Sequence, residues 1–89
     1  MPRAMLKTVV RPVPTDRQVY REFKRIITGL KGDRELYFAT NTLVDTYSRN
    51  IVEYVQRKIR DDGQKTNNAD LSYVSGMISG LMSKKYHWR

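Results

Sequence analysis

Apolar side chains recur every three or four residues along three stretches of this sequence, and two turn-rich breaks separate those stretches. This spacing places them on one face of an α-helix, whereas a half-buried strand needs alternation with a period of two. No stretch sustains such alternation beyond a few residues. The pattern predicts an all-α fold: a three-helix antiparallel bundle with a long second helix and basic terminal tails.

The first predicted helix begins near Asp16. Thr15 and Gln18 have the spacing of a capping box, in which each side chain accepts the other residue's amide proton. Gly29 and Gly32 are expected to end the helix, because glycine tolerates the left-handed conformation that helix termini often need. The helix has an apolar face and, opposite it, a cationic face. The apolar residues are Val19, Phe23, Ile26, Ile27 and Leu30, and the cationic residues are Arg17, Arg21, Lys24 and Arg25.

The second predicted helix is long, from about Arg34 to Arg60, and Asp33 is placed to cap it. Residues 61–68, DDGQKTNN, have the glycine and asparagine content of a surface loop. A third helix follows. Its small residues, Ser72, Ser75, Gly76, Ser79, Gly80 and Ser83, share one side. A glycine inside a helix costs about 1 kcal/mol relative to alanine, so Gly76 and Gly80 either admit a closely approaching helix or ligand chain, or belong to an exposed serine-rich face.

Composition limits both the size of the fold and its chemistry. The 89 residues, 39% of them hydrophobic, suit one domain with one core. Cysteine is absent, which excludes disulfide frameworks and thiolate metal sites, and the one histidine, His87, has no partners at triad spacing. No phosphate-binding glycine loop or metal-ligand cluster is present. The sequence predicts a protein that is not an enzyme, with no metal and no directly bound cofactor.

The charge balance predicts an anionic partner. Lys and Arg number 17 against 9 Asp and Glu, so the formal net charge is +8. Such an excess favours nucleic acid, an anionic membrane surface or an acidic protein. No apolar run approaches the roughly 20 residues that a transmembrane helix needs, so no membrane span is predicted. Residues 1–14 form a basic extended tail with the bias of a mitochondrial targeting sequence, or a tail that lies on a partner. Residues 86–89 form a basic and aromatic tail.

One interpretation of this charge is a small basic helical RNA-binding protein, ribosomal or viral. The cationic face of the first helix could then follow phosphates, while Tyr20 or Trp88 stacks on bases.

A second interpretation comes from residues 19–25, VYREFKR, which resemble the signature of the LYR-motif family of small mitochondrial accessory and assembly proteins. Tyr20, Arg21 and Arg25 match that signature directly, and Val19 stands in place of its leucine. Further along, residues 33–39, DRELYFA, look like the start of the second helix in several members. Residues 47–50, YSRN, resemble the Phe-Arg-basic-Asn element near which members usually turn. The resemblance defines a LYR-like domain over residues 15–85.

What the resemblance implies is a non-catalytic subunit or assembly factor, on the matrix side of mitochondria, that binds the acidic acyl carrier protein. It would anchor the carrier to a large complex such as a respiratory complex, ATP synthase or mitoribosome. In the family, the acyl chain on the carrier's 4′-phosphopantetheine arm inserts into the helical bundle. The implied carrier-binding residues are Arg17, Tyr20, Arg21, Lys24 and Arg25, and the implied chain-lining residues are Phe23, Ile27, Tyr47, Gly76 and Gly80.

Overall fold

The computed structural model describes residues 14–86, which form four helices and no strand. The helices are α1 (Asp16–Thr28), α2 (Asp33–Thr46), α3 (Arg49–Thr66) and α4 (Ala69–Tyr86). The predicted all-α class is confirmed, but the predicted number of helices is wrong. Apart from Pro14 and Tyr86, the two basic tails lie outside the described residues, and so do His87 and Trp88.

The start of α1 follows the predicted capping box. The amide of Gln18 donates to the Thr15 hydroxyl over 3.1 Å, and the amide of Thr15 donates to the Gln18 side chain over 2.9 Å. The helix ends at Gly29, yet this glycine has an ordinary right-handed backbone with φ of −89°. Within residues 14–86 a left-handed backbone occurs at Asn67 instead, with φ of 56°, where it ends α3.

The predicted long second helix is two helices, because the backbone becomes extended at Tyr47 and Ser48. Apolar residues keep their helical spacing across this break, so periodicity alone does not show it. The break lets α2 and α3 turn separately toward α4, and Lys85 of α4 donates to the Val44 carbonyl over 2.9 Å at the end of α2. Gly32, rather than Asp33, is the N-cap residue of α2, and Asp33 is its first helical residue.

The stretch predicted as a surface loop is helical up to Thr66, and only Asn67 and Asn68 connect α3 to α4. The two helices approach each other closely at Gly63, which is buried. A Cβ atom there would lie 2.9 Å from the Ser72 backbone nitrogen. The Asn68 side chain accepts the amide proton of Asp70 over 2.9 Å, which caps α4.

Gly76 and Gly80 lie on an exposed face of α4, where an added Cβ atom would meet nothing within 4 Å. Of the two alternatives for the small residues of this helix, the exposed face is therefore the correct one at these glycines. Ser75 is different: it is buried and accepts a hydrogen bond from the Gln56 side chain over 3.1 Å.

The core is centred on α3 and α4. Its fully buried apolar side chains come from these two helices alone: Val52, Val55, Ile59, Val74, Ile78 and Met82. α1 packs mainly on α3, and α2 packs mainly on α4. α1 and α2 touch each other less extensively, so the bundle is open along their shared side.

The helical glycines give a test of this packing. Gly63→Ala should lower the free energy of unfolding by about 1 to 3 kcal/mol, since the new methyl group meets backbone that cannot move without separating α3 from α4. Gly76→Ala should raise it by about 0.4 to 1 kcal/mol, because the site is open and alanine favours the helix. Urea denaturation followed by circular dichroism measures both. If Gly63→Ala is as stable as the parent or more stable, the close approach of α3 and α4 at Gly63 is contradicted.

Candidate functional site

An open groove runs between α1 and α2, which we call the α1–α2 groove. Its main cavity has a volume of about 530 Å³ and an almost entirely apolar surface. A cavity of about 160 Å³ adjoins it and shares Phe23, Ile26 and Thr42 with it. The groove is lined by Val19, Glu22, Phe23, Ile26 and Leu30 on the α1 side and by Arg34, Glu35, Phe38, Ala39, Thr42, Leu43, Thr46 and Tyr47 on the α2 side.

Two apolar residues of this groove are unusually exposed. Phe38 is 73% exposed and Ile26 is 41% exposed, although both are large hydrophobic side chains. Neither is covered by another part of residues 14–86. Such an apolar surface beside a cavity is typical of a binding site for an apolar ligand or partner.

At one end the groove opens onto arginine side chains. A third cavity, of about 470 Å³, is lined by Pro14, Gln18, Val19, Arg21, Glu22, Arg25 and Tyr47. It shares Val19, Glu22 and Tyr47 with the small groove cavity. The cationic side chains Arg21 and Arg25 therefore line a cavity that shares residues with the groove cavities and adjoins them. We call this the arginine end of the groove.

The arginines of α1 differ in their partners. Arg17 and Arg21 are exposed, and neither takes part in an ion pair within residues 14–86. Arg25 pairs with Glu22 one turn earlier, through both its Nε and Nη2 atoms. The hydrogen bonds and negative charge of Glu22 raise the pKa of Arg25 above its ordinary value. Among the arginines of α1, Arg17 and Arg21 are thus the two that form no ion pair with another of residues 14–86.

Lys24 and Tyr20 connect α1 to α3. The Lys24 ammonium lies 3.0 Å from a carboxylate oxygen of Asp62, and this pair is partly buried. The Tyr20 ring makes an edge contact with Tyr54 at a centroid distance of 6.4 Å. The ammonium groups of Lys24 and Lys58 each lie 5.9 Å from the Tyr20 centroid. These contacts stabilise the packing of the two helices. They also occupy Tyr20, one of the two rings that the RNA interpretation offers for stacking; the other, Trp88, lies outside the described residues.

Of the residues that the resemblance implies for lining the acyl chain, some lie in the groove and others lie elsewhere. Phe23 and Tyr47 line the groove. Ile27 is buried in the core and lines none of the three cavities, while Gly76 and Gly80 lie on the exposed face of α4. The position of these two glycines is a correction to the idea that a small face of α4 makes room for a chain.

Sequence reasoning missed Phe38, Ala39 and Thr42 as groove residues. Phe38 does not belong to the apolar stripe of α2, because it lies about 160° from Leu36 around the helix, at roughly 100° per residue. An exposed phenylalanine outside the buried stripe was the signal in the sequence that could have indicated a second apolar surface.

Residues 14–86 contain no group of three or more His, Cys, Asp or Glu side chains that could hold a metal ion. Nor does any helix in that range have the length and hydropathy to cross a membrane.

Comparison with known proteins leaves the family open. The sequence matches no protein-family model, and neither a curated protein nor a solved structure matches it. The resemblance to the LYR-motif family therefore depends on the residues of the chain itself.

Proposed function

We propose that this chain is a non-catalytic mitochondrial accessory subunit or assembly factor that binds an acyl carrier protein. It holds the carrier on a larger assembly, such as a respiratory complex, ATP synthase or mitoribosome, at the matrix side. The observation that carries the proposal is the continuity between the arginine end and the apolar α1–α2 groove. An acidic carrier with an acylated arm needs both surfaces side by side.

Electrostatics supports the docking of an acidic protein on α1. The chain has a formal net charge of +8, which accelerates the encounter with an acidic partner. Within residues 14–86, Arg17 and Arg21 have no ion pair to break before they contact carboxylates of the carrier. Exposed ion pairs of this kind contribute mainly to association rate and specificity.

The groove supports the binding of the acyl chain. Each methylene that moves from water into an apolar site contributes about 0.8 kcal/mol. The groove already exposes Phe38 and Ile26 to water, so an acyl chain there would cover apolar surface on both partners. The bound group, 4′-phosphopantetheine with its acyl chain, belongs to the carrier, and this chain supplies only the apolar walls.

The helix break resembles the family in its position but departs from it in its effect, because residues 14–86 form four helices where the resemblance implies three. The chain turns at Tyr47 and Ser48, within the YSRN segment that resembles the element near which LYR-motif proteins usually turn. Tyr20, Arg21 and Arg25 of the signature all lie on α1, and the last two border the arginine end.

The proposal is tested by mixing the purified chain with three forms of an acyl carrier protein: without its arm, with the free arm, and with an acylated arm. Native mass spectrometry should detect a one-to-one complex, most abundant with the acylated form. The acidic surface is common to all three forms, so the difference between them isolates the contribution of the chain.

The same experiment is repeated with RNA in place of the carrier, which tests the alternative function. If the chain retains RNA at moderate salt, with an affinity that falls steeply as salt rises, and ignores all three carriers, the RNA-binding alternative replaces the proposal. Binding to neither partner would leave only a structural subunit held by protein contacts.

A further inference from the structure

The structure points to the length and direction of the bound chain, an inference that rests on the proposed function. We infer that the α1–α2 groove holds one saturated acyl chain of about 13 carbons, a length calculated from the helical rise per residue along the groove. The thioester lies at the arginine end beside Tyr47, and the methyl end lies beside Phe38.

The length follows from the lining residues. On the α1 side they extend from Val19 to Leu30, and on the α2 side from Arg34 to Tyr47. The α1 side is the shorter wall and limits the length that can touch both walls; it covers eleven residue steps, or about 17 Å at a rise of roughly 1.5 Å per residue. An extended hydrocarbon advances about 1.3 Å per carbon, given a C–C bond near 1.5 Å. The groove therefore matches a chain of about 13 carbons.

The volume of the groove also fits a single chain. A methylene takes a volume on the order of 30 Å³, similar to that of one water in the liquid, so a chain of this length needs about 400 Å³. The main and adjoining cavities, of about 530 and 160 Å³, together accommodate that volume.

The direction follows from the two ends. Gln18, Arg21 and Arg25 offer polar groups at the arginine end, where a thioester and its polar arm remain hydrated. Arg34 and Glu35 border the Phe38 end, yet the cavity surface there is almost entirely apolar. The Glu35 carboxylate accepts a hydrogen bond from the Gly32 amide over 3.3 Å, at the start of α2. The methyl end of the acyl chain is therefore placed against the apolar side chains of Phe38, Leu30 and Ile26.

A series of saturated S-acyl pantetheine thioesters, from butanoyl to hexadecanoyl, tests the inference on the purified chain without any carrier. These probes are uncharged, so the net positive charge of the protein does not contribute to their affinity. Displacement of a fluorescent fatty acid gives each dissociation constant. Affinity should rise by up to about fourfold per methylene and level off near 13 carbons, because further methylenes stay in water.

Thr42→Phe is designed to shorten the part of the groove that an acyl chain can occupy. Thr42 is exposed and lines the middle of the groove, about 6 Å along α2 from Thr46. A phenylalanine there should make the affinity level off near about five carbons, by the same rise per residue. Thr66→Phe is the control: Thr66 is also an exposed helical threonine that donates to the carbonyl four residues earlier, and it is outside the groove. Its chain-length curve should equal that of the parent.

A second variant removes the wall at the far end. Phe38→Ala should weaken binding of dodecanoyl and longer probes by about tenfold, since they lose an apolar contact, and leave the shortest probes unchanged. Tyr37→Ala, at the neighbouring exposed aromatic outside the groove, should leave the whole curve unchanged. Circular dichroism verifies the helicity of each variant.

The inference is overturned if affinity does not depend on chain length, or if Thr42→Phe and Phe38→Ala both reproduce the parent curve. The proposed function fails separately. Carriers that bind equally well with and without an acyl chain would support docking on α1 and reject the groove as the chain site. Thioesters that bind with the expected length dependence, while every carrier is ignored, would retain the chain site and reject the carrier.

Discussion

Reversal of two charges, Arg21→Glu with Arg25→Glu, is expected to weaken binding of an acylated carrier by about a hundredfold or more. Both side chains border the arginine end, where the reversed charges would face the acidic surface of the carrier. Like charges brought together at an interface are strongly repulsive, whereas a neutral change would only remove attraction. Isothermal titration calorimetry at low salt measures the loss.

The fold should hardly respond to the same double change. Arg21 is exposed and forms no ion pair in the described part of the chain, and Arg25 pairs there with Glu22, which is exposed as well. Substitutions at such surface positions should leave the melting temperature within about 4 °C of the parent. Binding and folding are therefore expected to separate.

Arg57→Glu with Arg60→Glu is the matched control. Both residues are exposed on α3, outside the three cavities, and the change in net charge is the same. This control should reduce affinity only slightly, through weaker long-range attraction. If a folded Arg21→Glu, Arg25→Glu protein captures acylated carrier with unchanged affinity, the carrier does not dock on α1. If the control variant loses as much affinity for the carrier, the loss is caused by the change in total charge and not by the arginine end of the groove.

Sequence predicted the parts of the fold that local interactions decide. The capping box of Thr15 and Gln18 needs only residues three positions apart, so its motif is enough to place the start of α1. The buried positions Val19, Phe23 and Ile27 likewise follow from the apolar periodicity of one helix.

Sequence could not predict features that depend on contacts between helices. The break at Tyr47 and Ser48 accompanies the separate packing of α2 and α3 on α4, where Lys85 donates to the end of α2. Gly63, Gly76 and Gly80 are identical in type, and only the position of α4 decides which one is closely packed. Periodicity marks which face of a helix is apolar, but not which neighbour covers it.

The groove shows the same limit for function. Arg21 and Arg25 were found from the sequence because they belong to a recognisable local motif. Phe38 was not, because its apolar neighbours lie on a different helix. A site formed between two helices becomes visible only when both faces are in place.

Phe23→Ala is expected to lower the free energy of unfolding by about 3 to 5 kcal/mol. Phe23 is only 5% exposed, so truncation leaves a cavity between α1 and the rest of the core. Domains of this size are stable by about 5 to 15 kcal/mol in total, so the loss is a large fraction. Urea denaturation followed by circular dichroism measures it.

Binding of the acylated carrier should weaken in the same variant, because Phe23 also forms part of the floor of the α1–α2 groove. Phe38→Ala is the matched comparison: it removes the same side chain from the same groove, but at a position that is 73% exposed. It should change the free energy of unfolding by less than about 0.5 kcal/mol and still reduce binding of long chains. If the free energy of unfolding of Phe23→Ala is within about 1 kcal/mol of the parent value, α1 contributes much less to the core than its burial indicates.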